Sequence, residues 1–125
     1  MAIHELTLEK LQHFTLLATT TITATGNQTG VDLAGYEGDV QIILSGTAAG
    51  ASADLTFRIE ESDDNSTFTA ATGGSFTAIA NAANKQVITL NSNDLKRYIR
   101  LSCTAKTGSA SSAVTCFGFG LKKYG

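Results

Sequence analysis

Apolar residues in this chain recur at every second position, a period that builds strands with one hidden face and does not build helices. In Asp54 to Glu61, Leu55, Phe57 and Ile59 fall on one side and Asp54, Thr56, Arg58 and Glu60 on the other. Asn93 to Thr104 behaves alike. The turn-forming cluster Asn93-Asp94-Leu95 leads into Ile99, Leu101, Cys103 and Ala105 on one parity, with Tyr98, Arg100, Ser102 and Thr104 on the other. Each stretch reads as a strand with one face in a core and one toward water. Leu55, Phe57, Ile59, Ile99 and Leu101 are therefore expected on facing inner surfaces. Val40, Ile42 and Leu44 repeat the pattern, and Ile43 on the opposite parity predicts a strand covered on both faces or lying at an interface.

Such strands need turns, and the composition supplies them. The chain has 125 residues with 12 Gly, no Pro and no Trp, and it is rich in Thr, Ala, Ser and Asn. Thr and Val suit strands, while Gly, Asn and Ser suit the turns between them. The length is that of one domain with a single core. Charged residues make up 16% and the formal net charge is -2, so no global positive field points to nucleic acid or to an acidic membrane surface. Low charge on a small protein is expected where much of the surface is covered, which favours a permanent homo-oligomer or an assembled structure over a free monomer, and a trimer is favoured as one way to cover the strand edges of such a fold.

The start of the chain breaks the pattern. In residues 1–14, Ile3, Leu6, Leu11 and Phe14 fit a helical stripe only loosely, and both histidines, His4 and His13, fall here. We read this segment as an arm and residues 15–125 as the sandwich domain. Two readings of the arm stay open: packing on its own domain, or docking on a neighbour. The histidines have no Cys or carboxylate at ligand spacing, so no metal site is expected. Phe14 to Thr25 reads as a long strand with Phe14, Leu16, Ala18, Ile22 and Ala24 inward, broken by Gly26 to Gly30. Val31 to Leu33 reads as a short strand and Gly35 to Gly38 as a turn. Ser62 to Ser66 is a turn by composition. Asp63, Asp64 and Asn65 have oxygens suited to Ca²⁺, but without an EF-hand pattern, Asx side chains bonding their own backbone explain them. Strands follow at Phe76 to Ala80, at Gln86 to Asn91 and at Ala113 to Lys123. In the last, Phe117, Phe119 and Leu121 alternate with Cys116, Gly118 and Gly120, which predicts something packed close over the glycines.

Seven to nine strands at roughly ten-residue spacing give an all-β fold, an antiparallel sandwich of jelly-roll or immunoglobulin type. With the turn centred on Ser109 and Ala110, Cys103 and Cys116 would face each other across a hairpin. No signal segment precedes the strands, so a reducing compartment and buried free thiols are expected. No run of residues is long and apolar enough to span a membrane. Gly-x-Ser-x-Gly, a phosphate loop and a dinucleotide fingerprint are all absent, and Glu60 and Glu61 point to opposite faces of one strand, so no enzyme and no cofactor are expected. Lys96, Arg97, Arg100, Lys122 and Lys123 form the one basic concentration, open either as a solvated face or as a contact with an acidic partner.

Four stretches carry a resemblance: Val-Asp-Leu-x-Gly-Tyr-Glu-Gly at 31–38, Glu-Ser-Asp-Asp-Asn-Ser-x-Phe at 61–68, Asp-Leu-Lys-Arg-Tyr-Ile-Arg-Leu at 94–101 and Lys-Lys-Tyr-Gly at 122–125. Together they resemble small virion structural proteins of tailed bacteriophages and prophages, several of which are capsid decoration, or cement, proteins. The resemblance covers residues 31–125 and implies a virion protein that contacts the major capsid protein on the capsid surface, made in the host cytoplasm. Residues 61–68 followed by Arg97 to Leu101 also resemble discoidin-type carbohydrate-binding jelly rolls, although this chain has no Trp. The expected function is capsid decoration, with a tail tube, tail terminator or head-completion protein, or a carbohydrate-binding module, as alternatives. Ile3, Leu6, Leu11, Phe14, Lys96, Arg97 and Arg100 are the expected partner-binding residues.

Overall fold

Nine strands form along the described residues: β1 (Leu11–Ile22), β2 (Gly26–Asn27), β3 (Val31–Asp32), β4 (Tyr36–Gly46), β5 (Asp54–Ser62), β6 (Thr69–Ser75), β7 (Asn84–Asn91), β8 (Tyr98–Thr107) and β9 (Ser112–Lys122). They come from a computed structural model, which describes residues 11–122. One sheet has the order β1-β9-β4-β7; the other has β2-β8-β5-β6, with β3 also on β8. The short β2 and β3 are two pieces of one edge. With these two taken as one strand, the first strand pairs with the last, the second with the second-last, and so inward to β5 with β6, all antiparallel. That is a long hairpin wrapped over itself, the jelly roll, and it decides between the two sandwich types.

The core lies between the sheets. Val40, Ile42, Leu44, Val114 and Cys116 enter it from the four-stranded sheet, and Leu55, Phe57, Ile59, Ile99 and Leu101 from the other. The eight on β4, β5 and β8 are inward as the alternation predicts, and Val114 and Cys116 show that the inward parity of β9 is the one opposite its phenylalanines. Their partners differ from expectation, because β5 and β8 are neighbours in one sheet, with Ile59 opposite Leu101. The two groups therefore share one inner surface, and the β4 and β9 residues cover it.

Parity fails where bulges intervene. An extra residue at Thr104 shifts the β5–β8 register, so Thr56 pairs with Ala105 while Phe57 pairs with Cys103, and Ala105 is turned to the exposed side. In β1 a shift between Thr15 and Leu17 buries both Leu16 and Leu17 and leaves Ala18 exposed. Bulges reset which face a residue occupies. The strand expected at Phe76 to Ala80 is displaced too. β6 is Thr69–Ser75, a stretch in which no strand is expected, and Phe76 to Ala80 follows β5 through the Phe76 N–H, which donates to Phe57 O at 3.2 Å, and through a bridge at Ile79, whose N–H donates to Leu55 O at 2.8 Å. Gly74 is needed there, since an added Cβ would stand 3.0 Å from the Ile59 Cβ.

Aromatic rings fill the space over the β9 glycines. A Cβ on Gly118 would come within 2.4 Å of the Phe14 ring, and one on Gly120 within 2.8 Å of the Tyr36 ring. Those two rings meet edge to face at 5.3 Å. Phe14 thus belongs to the sandwich core, and the boundary drawn at residue 14 falls inside β1, where Leu11 to Phe14 pair with β9. Ile3, Leu6 and His4 lie outside the described residues.

The cysteines do not oppose each other. The chain crosses between sheets after β8, so Cys103 pairs with Phe57 and Gly26 while Cys116 pairs with Leu44 and Leu17. Both are buried free thiols. Burial pushes the Cys103 thiol up and drives Cys116 to about 12, so the reactive thiolate is scarce at neutral pH. In the folded protein Cys116 is expected to resist a thiol-specific reagent for hours, and both thiols should titrate fully in denaturant without any reductant. Thiols that stay blocked until a reductant is added would overturn this.

Candidate functional site

The two outward faces of the sandwich differ in character. On the four-stranded sheet, register aligns the outward residues in rows that cross the strands. Val87 of β7, Ile43 of β4, Phe117 of β9 and Thr15 of β1 make one row, and Thr89, Gln41, Phe119 and His13 the next. Glu37, Leu121 and Leu11 continue at the end where β1 begins. Val87 is 54% exposed and Leu11 45%. The His13 ring lies 5.6 Å from Phe117 and 5.5 Å from Phe119, and the two phenylalanine rings meet at 5.7 Å, so three rings form one cluster on this face. None of the eight residues in the two central rows is an acid, a lysine or an arginine. Lys85 lies toward one end of the β4–β7 pair, opposite Ser45, and Asp39 at the other, where it accepts a hydrogen bond from the Asn91 side chain at 3.1 Å.

The other sheet carries charge outward. Glu60 is on the outward parity of β5 as expected, yet it is 4% exposed, because two arginines close over it. Arg58 donates to its Oε2 from Nε at 3.0 Å and from Nη2 at 2.7 Å, and Arg100 on β8 donates to Oε1 from Nε at 2.8 Å. The Arg100 guanidinium lies over the Phe68 ring at 4.0 Å, which fixes it from the far side. Burial alone pushes the Glu60 carboxyl up, but the hydrogen bonds from Arg58 and Arg100 outweigh it and hold the carboxyl below its ordinary value. Nearby, Arg97 makes a two-point pair with Asp32, at 3.0 and 2.9 Å, which holds Asp32 low, and Lys96 lies 3.8 Å from Asp63.

These pairings revise the basic concentration. Lys96, Arg97 and Arg100 are each set against a carboxylate of their own chain. Lys122 is in β9, in the opposite sheet from β8, so the two carrying strands are not neighbours, and Lys123 lies outside the described residues. The Ser62 to Ser66 turn is closed from within. Asp64 accepts from the Ser62 hydroxyl at 2.8 Å and from the backbone N–H groups of Ser66 and Thr67 at 2.9 Å each, which, Thr67 first, bring its carboxyl down to about 2. All three bonds go to Oδ1, and those from Ser66 and Thr67 are the local backbone bonds that the Asx reading predicts. Among the described residues no three His, Cys, Asp or Glu side chains come together in a metal-binding group. A cleft of about 560 Å³ opens beside β7, lined by Thr72, Gly73, Leu90, Asp94 and Leu95 among others.

Of the residues expected to bind a partner, Leu11 is on the exposed apolar face, Phe14 is spent in the core, and the three cations are paired internally. Ile3 and Leu6 lie outside the described residues. The rows formed by Val87, Ile43, Phe117 and Phe119 were signalled only by Ile43 on the wrong parity and by the aromatic parity of β9.

A protein-family model described as Bbp16 matches residues 17–116, from the middle of β1 to the middle of β9. The chain belongs to the Bbp16 family. The family match therefore spans both sheets and stops short of residues 1–10. Among solved structures, this Bbp16-family chain is similar to the SPBc2 prophage-derived protein YomS, at 14% identity over 87% of this chain and 92% of that one, with a TM-score of 0.54. It is similar to a chain of infectious bursal disease virus, Gx strain, at 11% identity and a TM-score of 0.59, covering 91% of this chain and 32% of that one. It also resembles the PBSX exported protein XepA, at 20% identity and a TM-score of 0.51, covering 91% of this chain and 38% of that one. In the last two it spans about a third of the longer chain. No curated protein matches the sequence.

Proposed function

We propose that this chain is a structural protein of a tailed-phage virion, and that it works as a capsid decoration protein without enzymatic activity. The observation that carries this reading is the outward face of the four-stranded sheet, whose uncharged rows around Ile43, Phe117 and Phe119 suit contact with another protein surface. The resemblance of the turns at 31–38, 61–68 and 94–101 to small phage virion proteins supports it. So does a fold shared over nearly the whole length of a prophage-derived protein. In this reading the major capsid protein is the partner, and residues 1–10, with Ile3 and Leu6, extend the contact beyond Leu11. At roughly 25 cal/mol per Å² of apolar surface, an arm burying a few hundred Å² contributes several kcal/mol before ordering costs.

The test removes residues 1–10, stopping short of β1, and adds the intact and shortened proteins to undecorated capsids of the encoding phage. The intact protein is expected to bind in many copies and raise the heat resistance of the particles. The shortened one should retain its circular dichroism spectrum and need at least about tenfold higher concentration for equal occupancy. Equal occupancy by the shortened protein overturns the role of the arm. Failure of the intact protein to bind capsids overturns decoration and favours a tail or head-completion position.

A further inference from the structure

We propose that the cleft between β6 and β7 binds a neutral saccharide of two or three sugar units. This activity is separate from attachment to a capsid and does not depend on it.

The cleft lies where the two sheets part. β6 and β7 are outer strands of different sheets, and toward one end a side chain closes the gap between β7 and the segment after β6. There Gln86 accepts from the Thr77 N–H and donates to the Thr77 carbonyl, both at 2.7 Å. Farther along, β6 bulges. Arg58 is opposite Ser75 and Glu60 opposite Ala70, so Ala71, Thr72, Gly73 and Gly74 stand against Ile59 alone. Bulges re-aim the groups of a strand and are over-represented next to active sites. Thr72 and Gly73, which have no partner in the β5–β6 register, line a space of about 560 Å³ together with Leu90 of β7. That volume is within the ordinary range of ligand sites, roughly 300–1,000 Å³. Gly73 limits what enters the space from the protein side. Its φ of +78° suits glycine, and a Cβ there would stand 3.5 Å from Leu90 Cδ2.

The lining selects the ligand. Asp39 of β4 and Asp94, in the turn after β7, each bring a carboxylate, and among the described residues no cation pairs with either. Asn91 is held in place between its neighbours: its amide donates to Asp39 Oδ1 at 3.1 Å and accepts from the Asn93 N–H at 2.8 Å. Ser92, next to Asn91 in the chain, has a buried hydroxyl with no partner among the described residues. Two carboxylates repel an anion, and as acceptors without a proton they call for a molecule rich in O–H donors. Hydrogen bonds to an ionised acceptor are also the stronger class. Leu90 and Leu95 provide the apolar part of the lining, and Thr72 and Thr89 add hydroxyls. A sugar ring matches all of this, with hydroxyls at its rim and C–H groups on its faces. A simple cation would use the two carboxylates and nothing else. No aromatic ring is among the lining residues to stack on a sugar, so the expected dissociation constant is modest, about 1 mM.

The experiment is an NMR titration of the full ¹⁵N-labelled chain with maltose, lactose, cellobiose and N,N′-diacetylchitobiose, each to about 20 mM. Digalacturonate serves as the anionic control and L-arginine amide as the cationic one. At least one neutral disaccharide is expected to give saturable shifts at Thr72, Gly73, Asn91 and Asp94, and digalacturonate none. Asp94→Asn, which keeps the shape and removes the charge, should weaken binding about tenfold. Thr72→Lys, which sets a long cationic side chain beside the cleft, should weaken it at least as much. Both positions are exposed, so the fold should tolerate the changes, and circular dichroism checks this. Asp63→Asn, on the other sheet side of the molecule and 78% exposed, should bind as the intact protein does. No saturable shift with any of the four disaccharides overturns the proposal. So do shifts centred away from the cleft, or binding that folded Asp94→Asn and Thr72→Lys leave unchanged. Arginine amide moving the cleft resonances when no saccharide does would assign the cleft to a basic side chain and overturn it too.

Discussion

Truncating Phe57 to Ala is expected to cost about 3–5 kcal/mol of folding stability, the range for removing an enclosed aromatic side chain. Phe57 is 1% exposed, at the middle of β5, with Leu55 and Ile59 on the same inner surface and Cys103 opposite it on β8. Its ring therefore has sheet neighbours on either side and the β4 and β9 residues above it, and none of these can collapse into the space without breaking ladder hydrogen bonds. The residual cavity adds to the lost transfer energy, which places the expected cost above that of burial alone. A domain of this size holds about 5–15 kcal/mol in total, so the variant should melt roughly 10–20 °C lower. Urea unfolding followed by circular dichroism gives the number directly. A loss below about 1 kcal/mol would mean that Phe57 is not enclosed, and with it the inward parity of β5 would fall.

Replacing Glu60 by Ala should cost about 2–3 kcal/mol, and the cost should depend on pH. Removing one member of a buried ion cluster strands its partners, with losses of about 3–5 kcal/mol when everything is buried. Here Arg100 keeps 19% of its side chain exposed and Arg58 40%, so water recovers part of the loss and the lower figure applies. The Glu60 carboxyl is held low in the folded protein. A depressed carboxyl stabilises the fold fully above its unfolded value, about 4.3, and loses that contribution as pH falls through the folded value. Melting the native protein and the Glu60→Ala variant between pH 6 and pH 3 should therefore give curves that converge in acid. A gap of constant width would place the contribution of Glu60 in packing and not in charge.

Alternation alone was enough to place most strands and the inner residues of β4, β5 and β8, because a half-buried strand must hide every second side chain whatever lies opposite. The turn at Asp64 was legible for a similar reason, since an Asx side chain closes it with atoms only a few residues away. What lies opposite was not legible. Sequence places Cys103 and Cys116 symmetrically about a turn, yet the wrapped hairpin sends β8 and β9 to different sheets, and only the long-range pairing of β1 with β9 enforces that. The same separation parts Lys122 from Arg100. Bulges at Thr104 and beside Leu16 reverse parity through backbone geometry, which leaves no trace in a pattern of apolar residues. The exposed face was hidden for the opposite reason: Ile43, Val87, Phe117 and Phe119 are as apolar as core residues, and only the register that aligns them across four strands shows them on the outside. Period two tells which residues share a face, and the packing of one sheet on the other decides which face is inward.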